Sequence, residues 1–293
     1  MKTICKKYTV AFIIFIAMLA LFSNLLTGFM KNMFADSLMK AYLVEAFCKF
    51  LVAIIPLFLM FKWGYAKKTT TKQLIKGFLI GTILLLFTVP NLLPLLLINP
   101  ITVEVNGGIL IACLLAAMSI GLMEEVGIRG VLVPLLCEKW QGKKNVYLKV
   151  ALLSSLIFSC FHLNWSVKYF IENNYLTWEQ LSNNLYQVYY TFCFGILAAG
   201  VTLYTRSIWP MVFWHGVCDF SAFVRNGLIS TIYIDYYNKN NLLTMQNVFN
   251  KYGILDGWKF GAKMVELIIN IVFLIVGIVL IKKAEKEKIL KSI

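Results

Sequence analysis

The sequence predicts an all-α fold, a polytopic bundle of about eight transmembrane helices. Three observations carry that reading. Of the 293 residues 60% are apolar or aromatic and only 14% are charged; mean hydropathy is +0.76; and several apolar runs are long enough to cross a hydrocarbon core of about 30 Å, which takes roughly 20 helical residues. Strand-type alternation of apolar and polar residues is absent, which argues against a β-barrel. No internal repeat stands out, so residues 1–293 read as a single integral membrane domain.

The expected spans run in order as follows. The first, about 8–30, trails Lys2, Lys6 and Lys7 as a signal peptide would, but it is too long and lacks a small-x-small cleavage site, so it reads as a retained helix. The second and third cover about 42–61 and 77–97. The fourth, about 109–136, contains GLMEEVGIRG, and the fifth, about 146–163, ends in FSCFHLNW. The sixth covers about 185–204, the seventh, about 208–224, contains WPMVFWHGVCDF, and the eighth covers about 260–281. Between the fifth and sixth, residues 164–184 mix Trp165, Tyr169, Phe170, Tyr175 and Trp178 with polar residues, which suits an aromatic-anchored segment at the membrane surface. Residues 226–258 are long for a bare loop and are expected to be partly helical or functional rather than slack.

A formal net charge of +14 in a soluble chain would invite a nucleic-acid partner. Here the basic residues alternate from loop to loop, which is the positive-inside pattern, and no nucleic acid is expected. The N-terminal lysines, the loop with Lys62, Lys67, Lys68, Lys72 and Lys76, the loop with Lys139, Lys143, Lys144 and Lys149, the turn with Arg206, and the tail from Lys282 to Lys291 all fall on the same side. Both termini are therefore expected in the cytoplasm of a cell whose plasma membrane holds the chain. The seven cysteines show no CxxC spacing and read as reduced, packed hydrophobes rather than disulfides or metal ligands.

Ionisable side chains at membrane depth cost about 2.5 to 3.5 kcal/mol even on the lenient scale, so each is a functional candidate. Glu45 with Lys49, and Lys263 with Glu266, have helical-neighbour spacing near span ends and are expected to be structural ion pairs. Glu124, Glu125, Arg129, His162, His215 and Asp219 do not fit that explanation. Adjacent carboxylates point about 100° apart on a helix, so Glu124 and Glu125 should have different tasks. Glu125 and Arg129 sit at i, i+4 and can neutralise each other, which frees Glu124 to face a polar cavity as a general base. Phe158 shares a helical face with His162, and His215 shares one with Asp219. A buried histidine satisfied by a backbone carbonyl is the ordinary reading of either one alone. Two such helices beside the Glu124 helix are harder to explain as structure, because each buried polar group needs its own partner. Glu124 and His162 are equally far along the chain from the turn at Lys143, so antiparallel helices should bring them level.

EEVGIR, FSCFH and HGVCD together resemble the three motifs of the CAAX protease and bacteriocin-processing family, EExxxR, FxxxH and Hxxx followed by Asn or Asp, in the same order. That family includes the type II CAAX prenyl endopeptidases, with which the eight-helix layout is also shared. The resemblance is specific over roughly 107–222, which it marks as a catalytic core. It implies an intramembrane endopeptidase in which Glu124 and His162 activate the hydrolytic water, Glu125 and Arg129 hold the geometry with Phe158 in support, and His215 and Asp219 stabilise the oxyanion. The prenyl endopeptidases carry Asn where this chain has Asp219, which can donate only when protonated or can instead orient His215 by accepting its N–H.

Cofactors are left with two readings: a metal-independent glutamate-type site, which is favoured and needs none, and a zinc site on Glu124, His162 and His215. No HExxH is present, nor a serine elbow or the paired aspartates of other intramembrane proteases. A bacteriocin-immunity or peptide-binding protein on the same fold is the alternative function. A transporter would call for an inverted repeat, and none is visible beyond a possible break at Pro90 and Pro94. Membrane lipids and a peptide or protein substrate are the expected partners, and the Lys-, Ile- and Asn-rich composition points to a bacterial source.

Overall fold

The computed structural model describes residues 9–65, 69–97, 107–163, 177–224 and 254–290. Among these every regular element is helical. The first helices are α1 (Thr9–Phe34), α2 (Leu38–Lys62) and α3 (Thr71–Gly81), which a 3-10 turn at Thr82–Leu84 joins to α4 (Leu85–Leu97). Next come α5 (Gly107–Glu125), a π-helical stretch at Val126–Leu132, and α6 (Val133–Lys139). They are followed by α7 (Val146–Cys160) with a final 3-10 turn at Phe161–Leu163, α8 (Trp178–Thr205), α9 (Trp209–Phe223) and α10 (Ile254–Leu290). Six stretches are long and apolar enough to cross a membrane: Leu38–Lys62, Thr71–Pro90, Gly107–Lys139, Val146–Leu163, Leu181–Thr205 and Met264–Glu287. The protein is thus an all-helical integral membrane protein. At 15 residues α9 is shorter than the roughly 20 that a full crossing takes.

Capping chemistry sets the helix starts. Ser37 accepts the Lys40 N–H at the start of α2, and Thr70 with Gln73 forms a reciprocal capping box at the start of α3. The α6–α7 turn uses two left-handed residues, Gly142 and Asn145, with φ of 84° and 55°. Nothing local caps the start of α7. Instead the Glu285 carboxylate on α10 accepts the Val146 and Tyr147 N–H groups at 3.1 and 2.8 Å, so one helix caps another.

That cross-helix cap belongs to one end of the bundle. There Tyr65 donates to Glu138 at 3.3 Å, the Thr69 and Ser207 hydroxyls meet at 3.5 Å, and the Lys76 ammonium lies 3.5 Å above the Tyr204 ring. These contacts gather the α2–α3, α6–α7 and α8–α9 turns and the end of α10 into one basic face. The α1–α2 turn, with its Lys40–Asp36 pair at 2.6 Å, lies at the other end of α2, as do the end of α7 and the start of α5.

Packing between the helices is closest where small residues meet, as expected when lipid supplies no hydrophobic drive for association. A Cβ on Gly200 would stand 2.7 Å from the Gly277 carbonyl oxygen, and one on Gly277 would stand 2.7 Å from that of Ile196, so α8 and α10 cross backbone to backbone. Six cysteines are free: Cys48, Cys113, Cys193 and Cys218 are buried, Cys137 is half-buried and Cys160 is exposed. Cys5 lies outside the described residues.

One sequence expectation is overturned. Glu45 does not pair with Lys49. Lys31 on α1 reaches Glu45 at 2.6 Å, and the buried Lys49 donates to Asn24 Oδ1 on α1 at 2.6 Å. Packing α1 against α2 offers each group a partner across the interface, which competes with the weak coupling of helical neighbours on one face. The Lys263 side chain, the aromatic run 164–176 and residues 225–253 lie outside the described residues.

Candidate active site

The fourth expected span is not one continuous α-helix. It is regular through Glu125 and then turns π-helical over Val126–Leu132, with all seven π residues buried. Such widened turns are rare and recur at functional sites. Glu124 and Glu125 fall in the last α-helical turn, so their side chains diverge as expected. Glu125 is completely buried, while the side chain of Glu124 is 24% exposed.

Glu125 binds two partners through a single oxygen. Arg129 Nη1 donates to Oε1 at 3.1 Å, and His215 Nδ1 stands 2.9 Å from the same atom. A carboxylate already paired with a guanidinium can only accept, so Nδ1 carries a proton and donates. Arg129 is fixed further by Nη2 donating to the Gly195 carbonyl at 3.4 Å, and its guanidinium lies 4.5 Å from the Phe158 ring centroid. The inner part of the site is therefore a buried, ionic, hydrogen-bonded triad on α5, the π stretch and α9.

Two glycines let α9 come this close. A Cβ on Gly121 would stand 2.8 Å from the Gly216 nitrogen and 2.9 Å from the Val212 carbonyl oxygen, and one on Gly216 would run into Met118. Gly121 lies one turn before Glu125, and Gly216 follows His215. The glycine contact thus sets the separation across which His215 reaches Glu125. Sequence reading passed over both residues, although small residues recurring in a polar span are a usable signal for such a crossing.

The outer part of the site is looser. His215 Nε2 stands 3.7 Å from Glu124 Oε2 and 3.7 Å from Asp219 Oδ2, both beyond direct hydrogen-bond distance. The orienting partner of His215 is accordingly Glu125 at Nδ1, whereas Asp219 faces the opposite ring nitrogen. His162 lies in the 3-10 turn that ends α7, half-buried, with Nδ1 3.1 Å from the Phe158 carbonyl oxygen. Phe158 joins the parts. Its ring centroid is 5.0 Å from that of His162 and 6.0 Å from that of His215, nearly edge-on to both, while Phe194 on α8 packs beside His215 at 4.7 Å and lies 6.3 Å from Phe158. Phe158 thus packs against both histidines.

For zinc, the arrangement of donors is the test. Among the described residues no three His, Cys, Asp or Glu side chains are placed to hold one ion. Each histidine has Nδ1 against a protein oxygen, which leaves Nε2 as its one ligating nitrogen. As placed, Glu124, His162 and His215 do not fit a tetrahedral zinc centre.

No curated protein and no solved structure matches the chain. Residues 106–221 match a family model described as Rce1-like, type II CAAX prenyl endopeptidase Rce1-like. That stretch holds Glu124, Glu125, Arg129, Phe158, His162, His215 and Asp219, so residues 106–221 are similar to that family, in agreement with the three motifs.

Proposed function

We propose that the chain is an intramembrane endopeptidase that hydrolyses a peptide bond of a membrane-associated peptide or protein, with residues 107–222 as the catalytic core. The observation that carries this reading is the placement of His215. Its Nδ1–H is anchored on the Arg129-paired Glu125, and its Nε2 is thereby aimed between the Glu124 and Asp219 carboxylates, the two partly exposed acids of the site. A structural histidine would need one partner; this one keeps its second nitrogen for something else.

Glu124 is the general base. Its Oε2 is buried with no hydrogen-bond partner among the described residues, and buried acceptors of this kind ordinarily bind a donor, here the hydrolytic water. Proton abstraction by a positioned base contributes about 10² to 10⁴-fold. His162, whose ring packs 5.0 Å from that of Phe158, shares in activating and orienting the water. His215 in its doubly protonated form donates from Nε2 to the developing oxyanion, a contact whose loss typically costs about 10² to 10³-fold. Asp219 balances the charge at Nε2, which fits an Asp in place of the Asn of prenyl endopeptidases. The mechanism is written without a metal, with Glu124 as base and His215 as donor.

Comparing the membrane peptidome of cells carrying the intact chain with that of cells carrying Glu124→Ala tests the proposal. A peptide that accumulates uncut only with the variant supports hydrolysis. An unchanged peptidome with an unchanged phenotype rejects it and assigns the fold to immunity or peptide binding.

A further inference from the structure

A cavity reaches the buried triad from the basic end of the bundle. It has a volume of about 670 Å³ and is lined by Met60, Tyr65, Gly130, Arg206 and Trp209, and Arg129 closes it. None of Glu124, His162, His215 and Asp219 lines it. Arg129 lies over Phe158, and both are buried to within 2% of complete exclusion, so together they form a septum between this cavity and the reactive groups. The side chains of Glu124 and Asp219 are nevertheless 24% and 26% exposed, so they open on the other side of that septum.

Chain geometry agrees on two of the three site helices. At 1.5 Å per residue Glu124 lies about 22 Å along its rod from Lys139 and His162 about 24 Å from Val146, whereas the shorter α9 carries His215 about 9 Å from Trp209. A run of polar side chains leads the other way. From the exposed Asp36–Lys40 pair in the α1–α2 turn it continues through Lys31–Glu45 to Asn24–Lys49. One turn beyond Lys49 on α2, Val52 and Ala53 pack against Met123, the neighbour of Glu124. Polar groups at this depth are expensive unless they line a water-accessible cavity or a substrate path.

We propose that the site is served from the membrane face opposite the basic turns. By the positive-inside bias that face is extracytoplasmic, and the substrate is a polypeptide segment presented there: an exported peptide, or the outer flank of a membrane-anchored protein. The word substrate rests on the peptidase reading above; the sidedness does not. With Lys31 and Lys40 paired to Glu45 and Asp36, the approach keeps one net positive charge, Lys49, which favours a segment carrying a carboxylate.

Thiol accessibility in intact cells separates the two ideas. Asp219→Cys, Glu124→Cys, Asp36→Cys and Lys143→Cys are each placed in the full chain with its native cysteines replaced by alanine, and a membrane-impermeant cationic thiosulfonate is the probe. Cysteines at 219, 124 and 36 should be blocked before permeabilisation and the one at 143 only afterwards. Labelling of 219 and 124 only from the cytoplasmic side, or of neither, overturns the proposal, as does outside labelling at 143. Should the cysteine-free chain not accumulate, an impermeant acidic reporter peptide is offered to right-side-out and inverted vesicles of the intact protein. Cleavage confined to the right-side-out vesicles is expected, and cleavage confined to inverted vesicles overturns the proposal. Labelling from outside without cleavage of any peptide would leave the sidedness standing and count against the peptidase alone.

Discussion

The inner and outer parts of the site are built from the same residue types to different rules. Inside, Glu125 and Arg129 are wholly excluded from solvent and His215 nearly so, and the three are tied together at 2.9 to 3.1 Å. Outside, Glu124 and Asp219 are about a quarter exposed and stand 3.7 Å from the ring nitrogen they face. Removing one partner of a buried ion pair leaves an uncompensated charge, whereas the partly exposed acids stand free of such a pairing. The contrast underlies the proposal that one glutamate of the adjacent pair serves structure and the other chemistry.

The sharpest way to break that comparison is Glu124→Gln. Activity should fall by about 10² to 10⁴-fold, because a base is lost without loss of volume, while abundance and thermal stability in detergent stay near those of the parent. Next come the inner charges. Glu125→Gln leaves a buried guanidinium unpaired, and Arg129→Met leaves a buried carboxylate unpaired, so each should cost about 3 to 5 kcal/mol in addition to activity. The double variant should recover part of that stability, since no unpaired charge remains, and a double-mutant cycle on thermal unfolding measures the coupling. A Glu124→Gln protein that melts early beside a Glu125→Gln protein that stays folded would reverse the assignment.

Gly121→Ala addresses the spacing on which the inner triad depends. Its added Cβ meets backbone atoms at 2.8 and 2.9 Å, which no side-chain rotation relieves, so α5 and α9 must part at a cost of about 1 to 3 kcal/mol. Activity should fall further than stability alone predicts, because Glu125 and His215 are carried apart; equal losses of activity and folded protein would reduce the contact to packing. The smallest effect is expected far from the site. Glu285→Gln weakens the charged cap on α7 by about 0.5 to 2 kcal/mol, and cleavage per folded molecule should not change.

Much of this was legible in the sequence because the membrane makes polar residues conspicuous. The helical class followed from apolar runs that water does not tolerate, and the six candidate residues followed from the cost of charge at depth. The pairing of Glu125 with Arg129 and the divergence of Glu124 are local, set by helical pitch, and needed no fold. The tertiary structure decided which partners win across helices. Lys31 and Asn24 displaced the expected Glu45–Lys49 pair, and Glu125 rather than Asp219 accepts the hydrogen bond from His215 Nδ1–H. Glu285 became the cap of a distant helix. The Glu125–His215 contact depends on an interhelical distance that Gly121 and Gly216 set by letting backbones touch. Periodicity along one helix carries no information about that distance, so sequence alone could name the charged groups of the site but not say which of them meet.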